Sequence, residues 1–296
     1  MLNLLMKYFS KQKIIHKSIF ALFLKYLLDS NDIVISRFAA RIILSSKNRS
    51  LKLGYDNIKN LFYIIDGEER VYFGNLKRGL DLYSQGFKSR GTEIFNSYCL
   101  SYVDFRCDDI VIDCGANYGD LWLALRGLIN MRGYISFEPG DLEFQSLTKN
   151  VPQGIHNNYG LGAQNTTMGF YVNEQNADSS FVEPAEYSEQ RFVRVMRLSD
   201  YVNENEIKRI KLLKLEAEGY EPEILKGALD IIDRVMFIAV DGGNERGVEC
   251  QETFSSLCNV LLRLNFKLIE TNFAKGRALF VNKDAVSEVV THQYIE

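Results

Sequence analysis

The sequence predicts an α/β fold, a mostly parallel, doubly wound sheet with helices on both faces, preceded by an N-terminal extension. Three observations predict it. From Asp109 onward, short apolar runs of strand length alternate with amphipathic helical stretches, and each β-α-β step of this kind requires a parallel sheet. The first run ends at Asp113 in a glycine-bearing turn, and the second ends at the acid Glu138. Both sit at the carboxyl edge of the strands, where such sheets bind ligands. The 296-residue length leaves room for an appendage beside one sheet domain. The expected division is an extension over residues 1–90, helical and then a small β element, and a catalytic domain over residues 91–296.

Taken in order, residues 1 to about 50 carry apolar residues at helical spacing and stop at Ser45-Ser-Lys-Asn-Arg-Ser50. Leu61–Ile65 and Arg70–Phe73 are β-rich runs around Asp66-Gly67, a hairpin signal. The sheet domain then reads as a strand at Ile110–Ile112, a helix from Asp120 to near Ile129, a strand at Tyr134–Phe137 and a helix at Asp141–Asn150. Asp141 is placed to cap that last helix. There follow a strand at Lys211–Leu215, a helix from Pro222 to Ile232, a strand at Val235–Val240, a helix from Gln251 to Leu264, and closing strands at Lys267–Glu270 and Ala278–Val281.

Hydrophobic and charged fractions of 46% and 25% are ordinary globular values, and only four prolines argue against long disordered linkers. A net charge of −3 gives no global field for nucleic acid, so a small-molecule or glycan substrate fits better. Five cysteines without a C-x-x-C pair suggest neither a disulfide framework nor a zinc site, and reduced thiols point to the cytoplasm. The N-terminus is basic and apolar together, with Lys7, Lys11, Lys13, Lys17 and Lys25 before the first acid, Asp29. Its apolar stretches are too short to span a bilayer. Two readings stay open for it, a helix packed on the catalytic domain and an interfacial helix peripheral to a membrane. No signature of a particular oligomeric state is present.

The chemistry concentrates in three places. Gly115 and Gly119, with Asn117 between them, let backbone approach a ligand after the first strand. Glu138, about 20 residues on, stands where a carboxylate accepts from both ribose hydroxyls. The middle glycine of a pyrophosphate-binding G-x-G-x-x-G is replaced, which weakens a nicotinamide cofactor; S-adenosylmethionine has a ribose but no phosphate. On a strand, Lys214, Glu216 and Glu218 share one face by the period of two. A carboxylate there is a candidate to align an acceptor and take its proton. Glu218 as the start of the next helix, and Lys214 as a neutraliser of the glutamates, are the structural alternatives. Asp241 ends the next strand, with Glu245 and Arg246 beyond it as further candidates for substrate hydroxyls. His156 reads as loop or surface, Trp122 as packing beneath the ligand site, and no residue spacing suggests a metal.

Asp113-Cys-Gly-Ala-Asn-Tyr-Gly-Asp120, Phe137-Glu-Pro139, Leu213-Lys-Leu-Glu-Ala-Glu-Gly219 and Glu223-Ile-Leu-Lys-Gly227 together resemble the FkbM-type methyltransferases, over roughly residues 90 to 282. The resemblance implies a class I methyltransferase (Rossmann-like) fold with seven strands, S-adenosylmethionine as cofactor, and O-methylation of sugar or polyketide hydroxyls. It also implies that Asp113, Gly115, Asn117 and Gly119 contact the methionine part, that Glu138 holds the ribose, and that Ser179-Ser180 lie near the pocket. The family usually has Asp where this chain has Glu216. A nicotinamide-dependent oxidoreductase and a cofactor-binding homologue without turnover are the alternatives.

Overall fold

The computed structural model describes residues 15–30, 32–173 and 179–289. Lys7, Lys11 and Lys13 lie outside them. The expected N-terminal helical region is a hairpin of α1 (Ile15–Leu28) and α2 (Ile33–Lys47). Asp32 caps α2, its carboxylate accepting from Val34 N at 2.8 Å and from Ile35 N at 3.3 Å. The predicted β hairpin forms as β2 (Leu61–Asp66) and β3 (Glu69–Phe73), whose register leaves Gly67 and Glu68 as a two-residue turn. A third strand, β1 (Lys52–Asp56), pairs with β2. Helices α3 (Leu76–Tyr83) and α4 (Phe87–Ser97) follow, and Leu44, Ile64, Phe73, Leu80, Tyr83 and Phe87 form their shared core.

The main sheet holds β4 (Val111–Cys114), β5 (Tyr134–Phe137), β6 (Ile155–Asn157), β10 (Ile210–Leu215), β11 (Val235–Asp241), β14 (Phe266–Asn272) and β15 (Arg277–Asn282). Its order is β14-β15-β11-β10-β4-β5-β6, and within it β15 alone runs antiparallel to its neighbours. β4, β5, β10 and β11 are buried along their whole length, which is why they read as unbroken apolar runs. Alternate residues go to opposite faces. Ile112, Leu213, Leu215 and Ile238 meet α7 (Leu198–Glu204), α8 (Glu221–Gly227) and α9 (Phe254–Arg263). Val111, Leu212, Phe237 and Leu279 meet α4, α5 (Asp120–Leu125) and α6 (Asp141–Asn150).

Several boundaries differ from the sequence reading. α5 stops at Leu125 because Gly127 turns the chain away at φ +84°. α8 ends at Gly227 and passes into a 3-10 turn over Leu229–Arg234. α9 begins at Phe254, since Gln251–Glu252 (β13) pairs with Asn244–Arg246 (β12). Asp141 is not the cap of α6: Gly140 holds that position, and the Asp141 carboxylate faces Arg191 at 3.1 Å. A small sheet of β7 (Gly160–Leu161), β8 (Thr166–Val172) and β9 (Glu189–Met196) adds to the expected elements.

Candidate active site

The loop after β4 is pinned to the next strand, because Gly115 N and Ala116 N both donate to Phe137 O, at 3.0 and 3.2 Å. Gly115 has φ +70°, and a Cβ there would lie 1.8 Å from Glu216 O, so only glycine lets the two loops touch. Asn117, at φ +48°, donates its backbone N–H to Glu138 Oε2 at 2.7 Å, while Gly140 N donates to Oε1 at 2.8 Å. Burial, reinforced by the nearby Glu143 charge, nevertheless pushes Glu138 up to about 8. Asn117 Oδ1 is buried with no hydrogen-bond partner among the described residues. A buried acceptor of this kind is costly unless a ligand donor meets it.

Beside the loop stands a row of alternating charges. Lys214 is opposite Asp113 in the β10–β4 register, and Arg277 is opposite Asp241 in the β11–β15 register. Residues paired in this way share a face. Lys214 Nζ donates to Asp113 Oδ1 at 2.8 Å and to Gly115 O at 2.9 Å, and pairs with Glu216 Oε2 at 2.8 Å. Arg277 takes the other Glu216 oxygen, Oε1, at 2.9 Å, and its Nε reaches Asp241 Oδ2 at 2.6 Å. Burial alone would raise the Glu216 pKa, but the Lys214 and Arg277 charges outweigh it and hold the carboxyl well below its ordinary range. Burial prevails instead at Asp113 and Asp241, raising both despite their cationic partners.

Lys214 and Glu216 of this row face a cleft of about 980 Å³, counting its open mouth. Gly115, Asn117, Glu138, Lys214, Glu216 and Glu218 line it. Asp113 does not: it is wholly buried, its carboxylate bound by Lys214 and Tyr134, so it holds Lys214 rather than facing the cleft. Gly119 lies behind the loop at φ +88°, against Leu147 and Val151. The Ser180 hydroxyl donates to Glu218 O at 2.8 Å, and its neighbour Ser179 reaches the cleft instead. Asp241 is buried behind Arg277. Strand β10 ends at Leu215, so Glu218 does not continue the strand period; it stands at φ +49° in the loop before α8. Arg246 pairs with Glu223 at 2.7 Å rather than entering the cleft.

His156 is half-buried on strand β6 rather than in a loop, with Nδ1 2.6 Å from Ser136 Oγ and Nε2 2.6 Å from Val151 O. Burial lowers its pKa. Trp122 packs edge-on against Tyr134, at 5.8 Å between centroids. Among the described residues no group of three or more His, Cys, Asp or Glu is arranged to hold a metal. The sequence reading missed the cleft's other wall, where α3 and α4 bring Arg78, Leu82, Arg90 and Ile94, with Tyr98 just beyond. It also missed Arg277. Asp120, within the recognised loop motif, is gripped by Arg90 Nε at 2.9 Å.

A family model described as the methyltransferase FkbM domain matches residues 113–268. A protein named Methyltransferase 1 from Beauveria bassiana is 26% identical over 175 residues, covering 49% of this chain and 70% of that protein. Hexuronic acid methyltransferase AglP from Haloferax volcanii is 25% identical over 138 residues, 45% of this chain and 56% of that protein, so the chain spans little more than half of that relative's length. Among solved structures, an rRNA methylase from Streptococcus thermophilus aligns with a TM-score of 0.37 and 14% identity, covering 64% of this chain and 96% of that one.

Proposed function

Since this chain belongs to the FkbM methyltransferase family, we propose that it transfers a methyl group from S-adenosylmethionine to a hydroxyl oxygen of a sugar, in the assembly of a glycan or polysaccharide. The fold is that of class I methyltransferases, seven strands with the penultimate position taken by an antiparallel strand. Membership of the family implies use of S-adenosylmethionine. The observation that carries the reading is the buried, unpartnered Asn117 Oδ1 in the same cleft as the Glu138 carboxylate.

The residues present fit that cofactor. Asn117 Oδ1 suits the ammonium of its methionine part, Glu138 suits the ribose hydroxyls, and the Gly115 backbone lines the same cleft. Bound there, the cofactor supplies a methyl group already activated on a sulfonium, so the protein needs no nucleophile of its own. The chain's own task is to align the acceptor oxygen. Glu216, held ionised by Lys214 and Arg277, is a firm hydrogen-bond acceptor and a weak base. Its role is therefore to orient the acceptor hydroxyl, whose proton leaves to water through the open mouth of the cleft as the oxygen is methylated. The acceptor class draws support from AglP, whose name states a hexuronic acid substrate.

A tritiated-cofactor assay over a panel of hexuronic acids, neutral sugars and simple phenols tests this. Transfer to sugar hydroxyls is expected, abolished by Gly115→Arg and strongly reduced by Glu216→Gln. Undiminished transfer by both variants would sink the site assignment, and transfer to phenols alone would remove the sugar.

A further inference from the structure

The first 55 residues carry ten lysines and arginines against two acids, in a chain whose net charge is −3. Basic charge is thus concentrated in and before the α1–α2 hairpin. The outer side of that hairpin is apolar. Leu22 is 66% exposed, Tyr26 77% and Val34 69%, with Phe23, Ile35 and Phe38 also open to solvent. Leu22 and Tyr26 are four residues apart on α1, as are Val34 and Phe38 on α2, so each helix presents a stripe. Leu24 on α1 and Ala39, Ala40 and Leu44 on α2 turn inward. Lys25 and Arg41 stand exposed on the same two helices.

Large aliphatic and aromatic side chains interleaved with long cationic ones match the boundary between lipid headgroups and acyl chains. The charge indicates which lipids. Residues 1–14 add Lys7, Lys11 and Lys13 and no acid, so the positive charge at this end of the sequence favours an anionic surface. No helix among the described residues is long and apolar enough to cross a membrane. We propose that the α1–α2 hairpin docks this protein on an anionic bilayer surface, with Leu22, Phe23, Tyr26 and Val34 inserted and the surrounding lysines and arginines on the headgroups.

The test is co-sedimentation of the full chain with vesicles of phosphatidylcholine alone and of phosphatidylcholine mixed with phosphatidylglycerol. Binding to the mixed vesicles, weakened by salt, is expected. Lys25→Ala with Arg41→Ala should reduce partitioning about 25-fold, fivefold for each charge lost. Leu22→Ser with Phe23→Ser and Val34→Ser should abolish it, at unchanged helicity and unchanged cofactor affinity. Three results would overturn the proposal: no binding to the mixed vesicles, equal binding to both vesicle types, or an apolar triple variant that binds like the parent. A dimer of the parent chain in sedimentation velocity that the triple variant dissolves would give the face to a second copy instead, and overturn it equally.

Discussion

Replacing Gly115 by alanine tests whether the contact between the β4 loop and the β10 end builds the site. Two costs add. At φ +70° an L side chain is strained by about 1–2 kcal/mol. The new Cβ would also stand 1.8 Å from Glu216 O, where real Cβ contacts stay beyond 3.0 Å, so one loop must retreat by more than 1 Å. Overpacking of that kind costs about 1–3 kcal/mol. The sum corresponds to a fall in Tm on the order of 10 °C for a chain of this size. Retreat of Glu216 would also draw it from Lys214 and Arg277. Gly127→Ala is the matched control, with φ +84° and nothing within 4 Å, so it carries the first cost without the second. Differential scanning fluorimetry with cofactor calorimetry reads both. Equal losses of Tm in the two variants, or undiminished cofactor binding by Gly115→Ala, would refute the argument.

Glu138→Gln should weaken cofactor binding about 10- to 100-fold by calorimetry, the worth of charge-assisted hydrogen bonds. Because Glu138 is raised from 4.5 to about 8, the folded apo protein favours its neutral form, and the stability it contributes is lost as pH rises between those values. Ribose hydroxyls favour the ionised form, so cofactor affinity should increase as pH rises through about 8; Glu143→Gln, removing the neighbouring charge, should move that midpoint down. Arg277→Met strands Asp241 and half of Glu216, an expected loss of about 3–5 kcal/mol in denaturant unfolding. Glu216→Asp, one carbon shorter, is expected to keep one of its two cations and release the other, lowering kcat more than cofactor affinity in a methyl-transfer time course.

The sheet was legible because β4, β5, β10 and β11 are buried on both faces and therefore apolar throughout. The β7–β9 sheet left no comparable trace. β9 is exposed over half of its length and begins Glu-Gln-Arg-Phe-Val-Arg, with no clean alternation. Helix α3 was hidden by Gly79, which breaks a helical pattern in sequence but is required in space, since a Cβ there would lie 2.1 Å from the Phe73 ring. At the candidate site, Gly115, Asn117 and Glu138, which local turn chemistry and spacing announce, line the cleft. Arg277 is not announced in this way, because its meaning depends on an antiparallel strand arriving beside β11 and pairing it with Asp241, 36 residues away. The family resemblance implied a direct contact for Asp113, yet the register gives its side chain to Lys214 and burial keeps it from the cleft.

The same register explains how this chain accommodates Glu216 where its family usually has aspartate. Asp113, Lys214, Glu216, Arg277 and Asp241 alternate in sign across the ends of neighbouring strands, and none of these ions is left without an opposite charge. Burying so many would be prohibitive if any stood alone. Lys214 is fixed by Asp113 and Arg277 by Asp241, which sets the two cations on either side of position 216. A carboxylate there must use one oxygen for each, and the glutamate does, at 2.8 and 2.9 Å. With both cations satisfied from below and the side chain 29% exposed at the cleft, its remaining lone pairs are directed by the protein frame rather than by side-chain freedom. Position 216 thus favours a hydrogen-bond acceptor of fixed direction and low basicity.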